Sequence, residues 1–385
     1  MNPRPTILAG VPATNATLYH ALRFSVGDPC ALLTVPGRPG GERVLIIRDI
    51  EMARAARHAR ADAVSCPADW APAPGLSADR ETATAQAAAE CLRRSGVPRV
   101  RSDRTLPLSF VHELRLAGIE IDYDPDLGVT DRRVKDADEI KALRAAQADT
   151  ERSVELACRA IARATAGPGG VLLHEGTPLT SERVRAMIDA FLTERGYANP
   201  TSIVAAGPHG GDCHEYGRGE ITTGQPVIVD IFPAHKASRY HGDSTRTVVH
   251  GTPTPQIARM HAAVVEAKNA ASAAARAGNS GHDVHAQTLR VLASHGYARA
   301  LPKDTDPPEF TSLQHGTGHG IGLDGHEPPL LDDRGPTLLD GDVVTIEPGL
   351  YSKAFGGVRV EDMVHVTRDG PIDLGTGLHQ GLDWK

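Results

Sequence analysis

The chain has 385 residues, more than one hydrophobic core usually organises, so two domains are expected. Hydrophobic residues make up 40% and charged residues 23%, an ordinary globular balance. The formal charge of −7 offers no basic field for nucleic acid and fits a soluble protein.

Met1 to Val11 lacks the charged-then-apolar pattern of a signal peptide, and no apolar run approaches membrane-spanning length, so a cytoplasmic protein is expected. Residues 31–35 and 43–47 read as buried strands, the second followed by an Ala-rich helix over 50–61. A further helix is expected over 81–95, ending at Gly96, with a strand at Val100. That rhythm predicts a sheet with helices packed on it, and no catalytic motif rises out of it. The five cysteines (Cys30, Cys66, Cys91, Cys158 and Cys213) are scattered and form no CxxC pair, which argues against a disulfide framework or a thiolate zinc site.

After a turn at 125–128, residues 135–139 open a long helix with acids in its first turn, where the helix dipole favours them. Ile140, Leu143, Ala146, Val154, Ala157 and Ile161 share one face of it. A loop at 167–170 precedes a second amphipathic helix that starts near Thr180 and closes at Gly196. Helices are expected over 255–277 and 282–295, and strands over 227–232, 244–249, 343–346 and 358–366. The expected class is α+β: a smaller α/β domain over 1–133, then a mixed domain over 134–385.

The chemistry is carried by acids and one histidine within that second part. Asp230 interrupts an apolar strand, where a carboxylate is costly unless paired or bound to a cation. A hairpin would bring Asp243 beside it, and a divalent cation between two carboxylates reverses their repulsion. Glu347 ends the 343–346 strand, and Glu361 follows Arg359 by two residues, placing both on one face. His319 stands in a glycine-rich segment whose backbone can approach a ligand closely. Four carboxylates and one imidazole suit Mn, Co, Fe or Zn ahead of copper. Two such ions can share a bridging hydroxide, a nucleophile at neutral pH.

Read together, His-Gly-Thr-Gly-His-Gly-Ile-Gly-Leu at 315–323, His326-Glu327, Thr-Ile-Glu-Pro-Gly-Leu-Tyr at 345–351 and Gly-Val-Arg-Val-Glu-Asp at 357–362 resemble the pita-bread metallohydrolases. That family includes methionine aminopeptidase, aminopeptidase P, prolidase and the metal-free relative creatinase. The resemblance spans about 132–366 and implies a curved mixed sheet covered by helices, preceded by a creatinase-like domain over 1–133. It implies two divalent ions, Mn foremost, with Asp230 on one, Asp243 and Glu361 bridging, and His319 with Glu347 on the other. Glu347 would also carry the proton from the bridging water to the leaving amine. His214 falls where the family keeps a substrate-side histidine and His326 matches a second one that would steady the tetrahedral intermediate, so both are expected to be catalytic, while His315 is expected to bind substrate. The Gly-Val-Arg-Val-Glu-Asp segment is similar to the proline-specific branch. Arg359 then suits a substrate carboxylate or carbonyl; its alternative role is to pair with Asp362 or a ligand carboxylate.

The resemblance thus implies a homodimeric enzyme that cleaves Xaa-Pro bonds in small peptides, of the aminopeptidase P or prolidase type. A creatinase-like hydrolase of a small amide and a non-catalytic binding protein are the alternatives, and the retained ligand set weighs against both. The segment between Asp230 and Asp243 is two residues longer than the family pattern. An even insertion keeps both carboxylates on one face, while His235, Lys236 and Arg239 in the longer turn are expected to reshape the substrate pocket.

Overall fold

The computed structural model of the protein describes residues 4–38 and 42–385. It divides into two compact units, Met1–Arg132 and Arg133–Lys385.

In the first unit a mixed six-stranded sheet runs in the order Ala63–Ser65, Arg43–Ile46, Cys30–Thr34, Thr6–Gly10, Arg99–Ser102, Glu120–Tyr123. Strand alternation sorts its side chains. Ile7, Ala9, Ala31, Leu33, Val44 and Ile46 pack against helices Arg80–Arg94 and Leu108–Leu116. Leu8, Leu32 and Leu45 face Leu18, Leu22 and Ala55 on the opposite side.

The second unit opens with helix Ala137–Ala162, whose start is fixed by a capping box. Asp136 Oδ1 accepts from the Glu139 N–H, and Glu139 Oε2 accepts from the Asp136 N–H, both at 2.9 Å. This helix and Ser181–Glu194 cover the outer face of a three-stranded sheet, Ile203–Ala206, Pro226–Ile231 and Ser244–Val249. Val227, Val229 and Ile231 point into that helical core. The alternate residue Ile228 packs instead with Ile203, Ala205 and Tyr351, and Asp230 shares its parity, so it faces away from the helices.

Five strands form another sheet in the order Glu327–Leu331, Gly318–Gly320, Val343–Ile346, Asp362–Thr367, Gly370–Asp373. Helices Pro255–Ala274 and Gly281–Ser294 contribute Ala271 and Val284 to the core behind it. A four-stranded sheet contains Gly349–Ser352 and Gly356–Arg359. The single strand expected over 358–366 is therefore two strands, in different sheets. The break falls at Val360 and Glu361, where the Glu361 N–H turns to the Thr245 carbonyl at 3.0 Å. No helix among the described residues is long and apolar enough to cross a membrane.

Candidate metal centre

Of the five candidate ligands, only Asp230 and His319 lie inside strands. Asp243 immediately precedes Ser244–Val249, Glu347 immediately follows Val343–Ile346, and Glu361 sits at the break between sheets. Glu361, expected inside a 358–366 strand, thus lies between two strands, and strand ends aim three of the four carboxylates. The hairpin also pairs differently from expectation, because Asp230 lies opposite Thr245. Asp243 is two residues from Thr245, so it shares the face diagonally.

Close packing fixes both ends of this arrangement. A Cβ on Gly242 would lie 2.3 Å from Thr150 Oγ1 and 2.7 Å from the Ala146 carbonyl oxygen, so only glycine lets helix Ala137–Ala162 press against this turn. Gln147 of that helix accepts the Asp243 N–H at 3.0 Å. A Cβ on Gly318 would lie 2.0 Å from the Thr345 carbonyl oxygen. That glycine serves strand-to-strand approach rather than the approach of a ligand, contrary to the sequence expectation.

The side chains converge on a cavity of about 450 Å³. All nine candidate residues line it: Asp230, Asp243, His319, Glu347 and Glu361, together with His214, His315, His326 and Arg359. Asp243, His319 and Glu361 each present a ligand atom within 4.8 Å of the others. His319 Nε2 is 3.5 Å from Glu347 Oε1 and 3.9 Å from Asp243 Oδ2.

These residues fit a divalent metal on four grounds. First, the 3.5 Å spacing is long for a hydrogen bond but close to the separation of about 3.4 Å between two ligands each about 2.1 Å from a tetrahedral ion. Second, Asp230 Oδ1 is buried with no hydrogen-bond partner. Third, His319 Nδ1 lies 3.0 Å from the Gly320 carbonyl, so Nδ1–H donates there and leaves the Nε2 lone pair facing the carboxylates. Fourth, burial and then their neighbours' negative charge push the carboxyls of Asp243 and Glu361 well above their usual range. A cation relieves both penalties.

Electrostatics sort the remaining groups. Burial raises Glu347 to about 8, with Arg359 opposing and Asp230 adding to the rise. Burial, reinforced by His326, lowers His319 to about 4. The rings of His319 and His326 lie 3.8 Å apart, and burial lowers His326 as well. His315 is lowered to about 3 by burial and by Arg359. It is therefore neutral, with Nδ1–H donated to the Gly316 carbonyl at 2.8 Å and Nε2 accepting from the Tyr351 hydroxyl at 2.7 Å.

Arg359 resolves one of the alternatives left open by the sequence. Its Nη2 donates to Asp230 Oδ2 at 2.6 Å and its Nη1 to Tyr351 Oη at 2.8 Å. Burial disfavours its charge, but Tyr351, Asp230 and Glu347 hold its pKa well above the usual value. Asp362 is instead engaged by Arg246 Nη2 at 2.7 Å and by Lys268.

Several supporting residues have no motif of their own and escaped the sequence reading. Thr245 Oγ1 donates to Glu361 Oε2 at 2.7 Å and accepts from Arg359 Nε at 3.3 Å. Arg246 Nη1 donates to the Glu361 carbonyl at 2.5 Å. Lys135 Nζ reaches Glu327 at 2.6 Å, anchoring the residue beside His326. Strand alternation from Asp243 would have flagged Thr245; nothing local marks Lys135, 192 positions from its partner. In the long hairpin, Phe232 and His241 line the cavity, whereas His235, Lys236 and Arg239 do not. His235 instead packs on Tyr197, with ring centroids 5.0 Å apart. Any influence on the pocket enters through the hairpin's base rather than its tip.

A helix-covered mixed sheet with an inward cluster of carboxylates and imidazoles defines a pita-bread metallohydrolase fold. Residues 141–368 match metallopeptidase family M24, and the chain belongs to that family. It is 33% identical over 258 residues to a probable dipeptidase PepE of Mycobacterium tuberculosis, covering 65% of this chain and 60% of that one. It is 29% identical over 286 residues to an Xaa-Pro dipeptidase of Pyrococcus horikoshii, covering 71% and 72%. The fold is similar to that of an Xaa-Pro dipeptidase from Bacillus anthracis, with a TM-score of 0.78, 24% identity, and coverage of 98% and 94%. The PepE match thus spans less than two thirds of that relative's length.

Proposed function

We propose that the chain is a dinuclear metallopeptidase that hydrolyses Xaa-Pro bonds in small peptides, the dipeptidase (prolidase) kind ahead of aminopeptidase P. The observation that carries this reading is the convergence of five ligand-type residues with His214, His326 and Arg359 in one cavity of small-ligand size. The relatives' names favour dipeptides.

Asp230, Asp243, His319, Glu347 and Glu361 would hold two divalent ions, Mn before Co, Fe or Zn. Such ions supply Lewis acidity and an activated water at neutral pH. The protein's own groups do the rest. Glu347, at the cavity wall, can take a proton from the attacking water and pass it to the leaving prolyl nitrogen, which has no hydrogen of its own. His326, disposed to be neutral by burial, and His214 present N–H donors to a scissile carbonyl as its oxygen gains charge. Arg359 fixes Asp230 and Tyr351, and through Tyr351 the tautomer of His315. Pro200, Ile203 and Phe232 offer the apolar wall that a pyrrolidine ring requires.

The test is hydrolysis of an Xaa-Pro dipeptide beside an Xaa-Pro-Yaa tripeptide, with Mn supplied and Glu347→Gln as control. Dipeptide cleavage abolished by the control is expected. Cleavage of the tripeptide alone would move the assignment to aminopeptidase P. Inertness toward both by metal-loaded protein would overturn the proline-specific reading.

A further inference from the structure

A second group of donors lies outside the five-ligand set. His285, on helix Gly281–Ser294, has a side chain that is 0% exposed. Its Nδ1 is 2.9 Å from Thr317 Oγ1, and that hydroxyl donates its own proton to Thr288 Oγ1 at 2.9 Å. With Nδ1–H donated to that hydroxyl, Nε2 of the neutral ring carries a lone pair. Nε2 is buried with no hydrogen-bond partner. It faces Asp332 Oδ1 at 3.5 Å and Asp333 Oδ1 at 3.8 Å.

A lone pair aimed at two carboxylate oxygens is repulsive, and these distances are too long for a good N–H···O bond. They approach the separation of about 3.4 Å expected of two ligands on a tetrahedral ion with bonds of about 2.1 Å. The three ligand atoms lie within 4.8 Å of one another. Arg299 Nη1 pairs with Asp333 Oδ2 at 2.5 Å, and its Nη2 with Asp332 Oδ1 at 2.8 Å, the oxygen that faces the imidazole and also accepts the Asp333 N–H at 2.8 Å. This pairing leaves Asp333 Oδ1 turned toward the imidazole. Such outer partners commonly hold carboxylate ligands in place.

We propose that His285, Asp332 and Asp333 form a separate metal site that takes a borderline divalent ion such as zinc. One imidazole with two carboxylates suits that chemistry. The site is wired to the first, because the Thr317 carbonyl accepts the Glu347 N–H at 2.8 Å while the Thr317 hydroxyl holds His285. Asp332 also lines the main cavity, which puts the site at its margin.

The test is zinc content per chain of the full-length protein after equilibrium dialysis against zinc, measured by plasma mass spectrometry. His285→Gln and Asp333→Asn are each expected to hold one zinc fewer than the unsubstituted chain. Asp333 is 65% exposed at its side chain, so its variant reads the site even if substitution of buried His285 impairs folding. Equal zinc content in the unsubstituted protein and the folded variants would overturn the proposal. The readout is independent of peptidase activity.

Discussion

Thr245→Val tests how the site is held rather than which atoms bind. Thr245 is fully buried, and the substitution keeps its shape while removing one hydroxyl. That hydroxyl donates to Glu361 Oε2 at 2.7 Å and accepts from Arg359 Nε at 3.3 Å, so two charged groups lose a partner together. A hydrogen bond to a charged group contributes about 1.5–3 kcal/mol. Loss of an outer partner of a metal ligand lowers affinity about 10- to 100-fold, or about 1.4–2.7 kcal/mol. The two scales agree. Competition of Mn or Zn against a chromophoric chelator should therefore show that loss of affinity, with kcat largely restored at saturating metal. Thr245→Ser, which keeps the hydroxyl, should bind nearly as tightly as the unsubstituted protein. Unchanged affinity in the valine variant would refute the view that Thr245 holds Glu361 for a metal.

Gly318→Ala places a Cβ against the Thr345 carbonyl oxygen and should cost about 1–3 kcal/mol of stability, read by urea unfolding, with weaker metal binding through displaced His319. Asp362→Asn leaves buried Arg246 and Lys268 without their carboxylate and should cost about 3–5 kcal/mol by the same assay. His261 predicts a pH effect. Burial lowers its pKa below the usual 6.5, with the Gln380 carbonyl opposing and His379 and Arg246 reinforcing. The unfolded chain therefore binds the proton more tightly, so the contribution is complete above about pH 6.5 and is lost as pH falls toward the depressed folded value. His261→Gln, which keeps a donor for the Gln380 carbonyl, should flatten the decline in urea stability below pH 6.5.

The helices were legible because their signals are local. The acids at 138 and 139, for example, announced the capped start of Ala137–Ala162. The candidate ligands were legible because ligand chemistry limits residue type, and because a carboxylate in the apolar run 227–231 demands a partner. Sheet membership was not legible. Residues 358–366 look continuous, yet the chain changes sheet at Glu361, a choice made by the Thr245 carbonyl and Arg246 from 115 or more residues away. The roles of the glycines were also hidden, since Gly242 and Gly318 answer to Thr150 and Thr345, partners fixed only by the tertiary fold. The longer hairpin misled for a similar reason. Its charged tip was visible in sequence, but only pairing with Tyr197–Ala198 shows that the tip turns to another strand while Phe232 and His241 face the cavity.

The most direct measurement is anomalous diffraction from crystals of the protein soaked in Mn. Two peaks are expected inside the cavity, bounded by Asp230, Asp243, His319, Glu347 and Glu361, and both should vanish in an Asp243→Ala, Glu361→Ala double variant. A well-ordered cavity with no anomalous peak among those residues would contradict the two-metal assignment.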